Sequence, residues 1–201
     1  MADPTAGWTF TKKTVEQYQF NGPHGMWAII TLDPRGIFQA VSDVGDYAYD
    51  GWGHHGRESF KHFLLQLTDP DYFIGKVKRG DREFDFEATL RAVRKRILDK
   101  RRAGACVGSL DKAEARAAWD EADELEETRD ATFFVHLVMT ECPALYGHVF
   151  ESDGYEVSSV CRDRWPAWSL RFFHEIFRGQ FAPALRAELG IDAPAQEAAV
   201  A

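Results

Sequence analysis

At Arg57 the hydrophobic period of this chain changes, and that change limits the folds open to it. Before it, short apolar or alternating segments follow one another: "WTFTKKTVEQYQF", "MWAIITL", "GIFQAVSDV" after the turn signal "DPRG", and "DYAYDGW". Period-two segments bounded by Asp, Pro and Gly read as strands. Turns this short join antiparallel neighbours, because a parallel pair needs a long crossover. After Arg57, the residues Phe60, Phe63, Leu64 and Leu67 fall at i, i+3, i+4 and i+7, one stripe of a helix. "DPDYFIGKV" follows as a turn or short helical piece. The expected fold class is therefore α+β. An N-terminal antiparallel meander packed on a helix occupies residues 1–80, and a helical subdomain occupies residues 81–201, the two forming one continuous globular unit.

The helical part carries a charge pattern. Phe86, Leu90, Val93 and Ile97 mark the apolar face of a helix over Asp85–Arg102, with Gly104 as its stop. A second helix over Leu110–Thr128 has Ser109 as its expected N-cap, with Asp111 and Glu114 near the positive end of its dipole. Lys76–Arg102 holds eleven basic and five acidic residues, whereas Ser109–Asp130 holds three basic and nine acidic. Two helices joined by a short loop pack antiparallel, so opposite charge can form a seam between them. The same residues can instead face a partner. Arg91, Lys95 and Arg102, with Arg94 and Arg101 on their shoulder, form a row able to grip nucleic-acid phosphates. Asp120, Asp123, Glu124 and Glu127 can stand in for phosphates before a basic protein.

Further helices are expected in "TFFVHLVMTEC" and "RWPAWSLRFFHEIF". The second is apolar around most of its circumference, which demands burial in the core or between the subunits of a homodimer. The tail "APAQEAAVA" is expected to fray.

A net charge of −8 argues against indiscriminate nucleic-acid binding. Cys106, Cys142 and Cys161 are widely spaced, odd in number and free of any CxxC pattern, which points to reduced thiols. "MADPTAGWTFTKK" has no signal-peptide pattern, and no apolar run reaches the roughly 20 residues of a membrane span. No GxSxG, Walker or GxGxxG motif occurs.

The densest cluster of reactive side chains is "SDVGDYAYDGWGHHG", Ser42–Gly56. Asp43, Asp46, Asp50, His54 and His55 are metal-ligand types. However, Asp43 and Asp50 fall at opposite ends of a strand, and adjacent histidines do not converge on one ion. Aspartate beside glycine is ordinary turn chemistry. Tyr47, Tyr49 and Trp52 can stack a base while Arg57 or Lys61 takes a phosphate. Alternatively the tyrosines pack against the following helix through Phe60 and Phe63. The alternative ligand-binding set is thus Trp52, His54, His55 and Arg57.

The order of these blocks, and above all Gly45, Tyr47, Tyr49, Trp52, Gly56, Phe60 and Phe63 followed by Asp71, Tyr72 and the basic-then-acidic helix pair, resembles a family of small accessory proteins of phages and prophages of Gram-negative bacteria. The resemblance runs from about Met26 to about Ala182. It carries over no catalytic residue. It implies a phage protein acting in the host bacterial cytoplasm and inhibiting a host defence protein or ribonucleoprotein complex by binding, with anti-CRISPR as the leading reading. A nucleotide-binding sponge for a defence signal is the second reading and a metal-dependent hydrolase the third. No metal, cofactor or membrane is expected.

If the histidine pair is turn decoration, His54→Ala with His55→Ala leaves both fold and metal content of the purified protein unchanged. Stoichiometric metal that disappears in the double variant overturns this reading.

Overall fold

The computed structural model describes residues 11–78, 80, 82–104 and 108–191, so Cys106 and the expected fraying of the C-terminal tail lie outside the described residues. In chain order the first elements are β1 (Glu16–Asn21), β2 (Trp27–Asp33), β3 (Ile37–Ser42), β4 (Gly45–Tyr49), α1 (Phe60–Leu65) and α2 (Pro70–Val77). Next come β5 (Glu83–Phe84), α3 (Phe86–Arg102), α4 (Lys112–Glu124), α5 (Ala131–Glu141), a π-helical segment at Leu145–Val149, and α6 (Gly154–Val160). The chain closes with β6 (Asp163–Arg164), α7 (Ala167–Arg171), a second π-helical segment at Phe172–Phe181, and α8 (Ala182–Leu189). The class is α+β, with the antiparallel order β1-β2-β3-β4 that the short turns require.

The sequence places one boundary near residue 80, but the chain divides twice. One unit spans Met1–Asp81 and Ala167–Ala201, and the other spans Arg82–Pro166. The physical reason is the aromatic content of the C-terminal segment, which packs on the sheet.

In the first unit, alternation decides the inner face: Ala28, Ile30 and Leu32 of β2, Phe38 and Ala40 of β3, and Tyr47 of β4 are all buried. Phe38 lies 5.6 Å from Phe73, 6.0 Å from Phe177 and 6.3 Å from Phe181, ring centre to ring centre. Phe73 stacks on Phe177 at 4.2 Å. Within "RWPAWSLRFFHEIF" the side chains of Phe172, Phe173, Ile176 and Phe177 are thus buried within one chain, whereas Trp168 is 47% exposed. The β2–β3 turn closes with Gly36 N–H donating to the Asp33 carbonyl at 2.9 Å. Gly36 has φ 92°, and a Cβ there would lie 2.3 Å from the Trp52 carbonyl carbon, so only glycine fits. Arg35 donates to the Asp33 carboxylate through its side chain and its backbone N–H, holding that carboxyl at about 2.

A polar tie joins β1, α1 and α8. Lys61 pairs with Glu16 and, at 2.5 Å, with Glu188, while the Tyr18 hydroxyl donates to Glu188 at 2.7 Å. Burial works against the Lys61 charge, but the bonds to Glu16, Glu188 and Tyr18 overcome it and raise its pKa.

The second unit is closed by the ribbon β5–β6, in which Glu83 pairs with Arg164 and Phe84 with Asp163. The Arg82 guanidinium lies 4.2 Å from the Trp165 ring centre beside it. On α3 the expected face is buried: Phe86, Leu90, Val93 and Ile97. Gly104, at φ 70°, follows the last turn as expected. The N-cap of α4 is Asp111 rather than Ser109. Its carboxylate accepts from Ala113 and Glu114 N–H, and Glu114 reciprocates on the Asp111 N–H, a complete capping box. Ala118 and Ala122 are the buried face of α4, and α3 runs antiparallel to it, with Lys100 opposite Leu110 and Arg94 opposite Asp123.

Glu188 sits below the usual carboxylate range because Lys61, and then Tyr18, donate to it. A depressed carboxylate stabilises the fold above its unfolded-state pKa, and that contribution is lost as pH falls through the folded value. With Glu188 half-exposed, solvent screening holds the effect to about 1 kcal/mol. Lys61→Met is therefore expected to lower Tm at pH 7 and to lose most of that difference near pH 3, and a gap of equal size at both pH values contradicts the assignment.

Candidate functional site

The cluster Ser42–Gly56 resolves into strand and turn. Trp52 is 4% exposed, with Phe60, Phe63 and Phe73 at 6.0, 5.6 and 6.1 Å, and its indole N–H donates to the Tyr72 hydroxyl at 3.3 Å. So enclosed, the ring leaves no face for a base. Tyr47, 1% exposed, stacks on Phe172 at 3.9 Å and 18°. The tyrosines thus do not pack on Phe60 and Phe63 as expected; Trp52 takes that place, because its backbone N–H is held to the Gly36 carbonyl at 3.3 Å. His54 and Arg57 are exposed, and the His55 ring rests 5.9 Å from Phe60 while its Nδ1 accepts from Arg57 N–H. Lys61 is committed to Glu16 and Glu188. Asp43 accepts from Trp27 N–H at 3.3 Å. Among the described residues no three His, Cys, Asp or Glu side chains gather as a metal site.

The charged helices behave differently from a continuous seam. Arg94 to Asp123, at 2.7 Å, is the one ion pair joining α3 to α4 among the described residues. Lys95 pairs within its own helix with Asp99, and Asp120 within its own with Arg116. Arg96 and Lys100 reach instead to Glu156 and Glu151, both at 2.6 Å. What holds α3 and α4 together is the apolar contact that the buried alanines permit. Arg91, Arg101 and Arg102 point outward to solvent.

On the acidic side α4 ends at Glu124, where Leu125 turns to an extended conformation, so Glu127 stands in the connector and not on the helix. That turn gathers charge. Glu121, Glu124, Glu126, Glu127 and Glu141 line a cleft of about 380 Å³ whose apolar wall is Leu125, Phe133 and Leu137. Phe133 is 52% exposed there. Glu121 also has a structural duty, accepting from Ala144 and Leu145 N–H at 3.0 and 2.7 Å. The Cys142 thiol at the cleft is pushed up to about 11, first by burial and then by Glu121, Glu141 and Glu124. Of the cleft's carboxylates the sequence singles out Glu124 and Glu127, but Glu141 and Phe133 come from α5, and no local pattern links them to it.

A family model described as a phage family matches residues 9–177, which include all of the second unit and most of the first. Neither a curated protein nor a solved structure matches the chain. Among the described residues no helix is long and apolar enough to cross a membrane.

The field of the cleft has a direct readout. Removing two negative charges with Glu124→Gln and Glu141→Gln is expected to lower the Cys142 pKa, and so to speed its alkylation at pH 8, followed peptide by peptide by mass spectrometry. The thiol should remain above the ordinary value of about 8.5, since burial is the larger cause. A rate unchanged by the double variant means that the glutamates do not act on the thiol.

Proposed function

The chain belongs to that phage family, and on this footing we propose that it is an accessory protein which inhibits a host defence system by binding, with anti-CRISPR as the specific reading. The observation that carries the proposal is the cleft of five glutamates beside the exposed Phe133 ring. Proteins that handle nucleic acid present basic channels to phosphates. Carboxylates gathered at one edge of α4 can occupy such a channel in place of phosphates, while Phe133 adds apolar contact that a nucleic-acid backbone lacks. The setting of this action is the host cytoplasm, and the partner is a defence protein or its ribonucleoprotein complex. Non-catalytic blocking needs only affinity and position.

Charge reversal separates the two faces. Glu124, Glu126 and Glu127 changed to Lys alters charge by about six units and leaves the Arg94–Asp123 pair intact. Arg91, Lys95 and Arg102 changed to Glu does the same on the opposite side. With circular dichroism showing both variants folded, the acidic reversal is expected to abolish protection in a phage-plating assay and the basic reversal to preserve it. Protection that survives the acidic reversal refutes the proposal.

A further inference from the structure

A second surface of the Arg82–Pro166 unit has the opposite chemistry. Between α3 and α4 lies an open groove of about 700 Å³, lined by Ile97 and Leu98 on one side and Ala113, Ala115 and Trp119 on the other. Its origin is in the sequence. Alanines on α4 leave the space between Leu98 and the Trp119 ring unfilled, where larger side chains would have closed it. Leu98 is 39% exposed, an apolar side chain on a helix whose remaining outward positions are mostly charged.

The rim is cationic. Arg101 and Lys112 stand at the groove exposed, and neither has an ion pair among the described residues. Arg116 is held by Asp120 at 2.9 Å. Farther along, the Arg94 guanidinium lies 5.7 Å from the Trp119 ring centre and is neutralised by Asp123. Among the cations lining the groove, the unpaired charge is thus that of Arg101 and Lys112.

We infer that this groove between α3 and α4 is a docking site for an acidic amphipathic helix of a partner protein. The assignment is independent of the glutamate cleft, which would take a basic surface. An apolar floor offers nothing to a phosphate backbone, and a single indole is not the row of stacking platforms that single-stranded nucleic acid uses. An acidic helix matches both parts. Apolar side chains at i, i+3 and i+4 fill the floor beside Leu98 and Trp119, and carboxylates on the flanks reach Arg101 and Lys112. The groove follows residues 112–119 of α4 for about two turns, roughly 11 Å, so two turns of the partner suffice to span it.

The test uses the full chain and a fluorescein-labelled peptide of about sixteen residues, long enough for four turns, with Leu at i, i+3, i+4 and i+7 and Glu elsewhere. A counterpart carries Lys in place of Glu. Anisotropy titration is expected to give saturable binding of the acidic peptide, weakened by salt, while any binding of the lysine peptide is lost on reversal of Glu124, Glu126 and Glu127 and so belongs to the glutamate cleft. Leu98→Asp should weaken the acidic peptide at least about tenfold. Arg101→Glu with Lys112→Glu should weaken it by a similar factor and admit the lysine peptide. Reversal of Glu124, Glu126 and Glu127 should leave it unchanged, which keeps the fate of this site apart from that of the glutamate cleft. All these positions are exposed, and circular dichroism checks folding; if Leu98→Asp fails to fold, the Arg101 and Lys112 reversal decides alone. Absence of acidic-peptide binding, equal binding of both peptides in the variant with Glu124, Glu126 and Glu127 reversed, or acidic-peptide binding insensitive to the groove variants overturns the assignment. So does a dimer in sedimentation that those variants dissociate, since the occupant is then a second copy of this chain.

Discussion

The ring of Phe38 is the point on which the first unit depends. It sits in the middle of the sheet and meets aromatic rings contributed by residues as distant in sequence as Phe73, Phe177 and Phe181. Edge-to-face pairs of this kind add about 0.5–1.5 kcal/mol each beyond the area they bury. No single pair holds the unit. Their shared centre does, because loss of the Phe38 ring would open a cavity that α2 and the Phe172–Phe181 segment border together. Tyr47 extends the same block by stacking on Phe172.

This arrangement explains what the sequence reveals and what it hides. Alternation in "MWAIITL" and "GIFQAVSDV" is a local signal, and the strands and their buried faces follow from it. The face of α3 is equally legible, because Phe86, Leu90, Val93 and Ile97 repeat at helical spacing. The return of the C-terminal segment to the sheet is not local. Nothing near Phe177 indicates that its partner is Phe73 rather than a residue of the neighbouring helices or of a second subunit. The exchange of roles between Tyr47 and Trp52 has the same cause: a glycine at Gly36, sixteen positions earlier, draws the Trp52 backbone onto the β2–β3 turn.

Charge was legible in amount but not in placement. The excess of basic residues on α3 and of acidic ones on α4 is plain in the sequence, yet it predicts a seam, and among the described residues only Arg94 and Asp123 form one. Arg96 and Lys100 turn away to Glu156 and Glu151, acids that lie more than fifty residues on. The glutamate cleft needs the end of α4 to bend at Leu125, and a helix drawn through to Thr128 would have spread the same carboxylates around its surface. A one-residue change of backbone direction thus converts a solvated face into a concentrated field. The alanines of α4 act similarly: they register in the sequence as helix formers, and only against Leu98 do they become the wall of a groove.

The ribbon β5–β6 has a meaning beyond its four residues. It brings the start and the end of the Arg82–Pro166 segment side by side, and the cation–π contact of Arg82 with Trp165 fastens the pair. A segment whose ends emerge together behaves as a cassette. Its helices, and with them the charge and shape of its surfaces, can be replaced wholesale by any other fold with adjacent ends, while the strand register between Glu16 and Tyr49 is untouched. Such a joint confines a wholesale change of surface to a piece attached at two neighbouring points of the chain, and leaves the sheet as the holder into which other versions could be fitted.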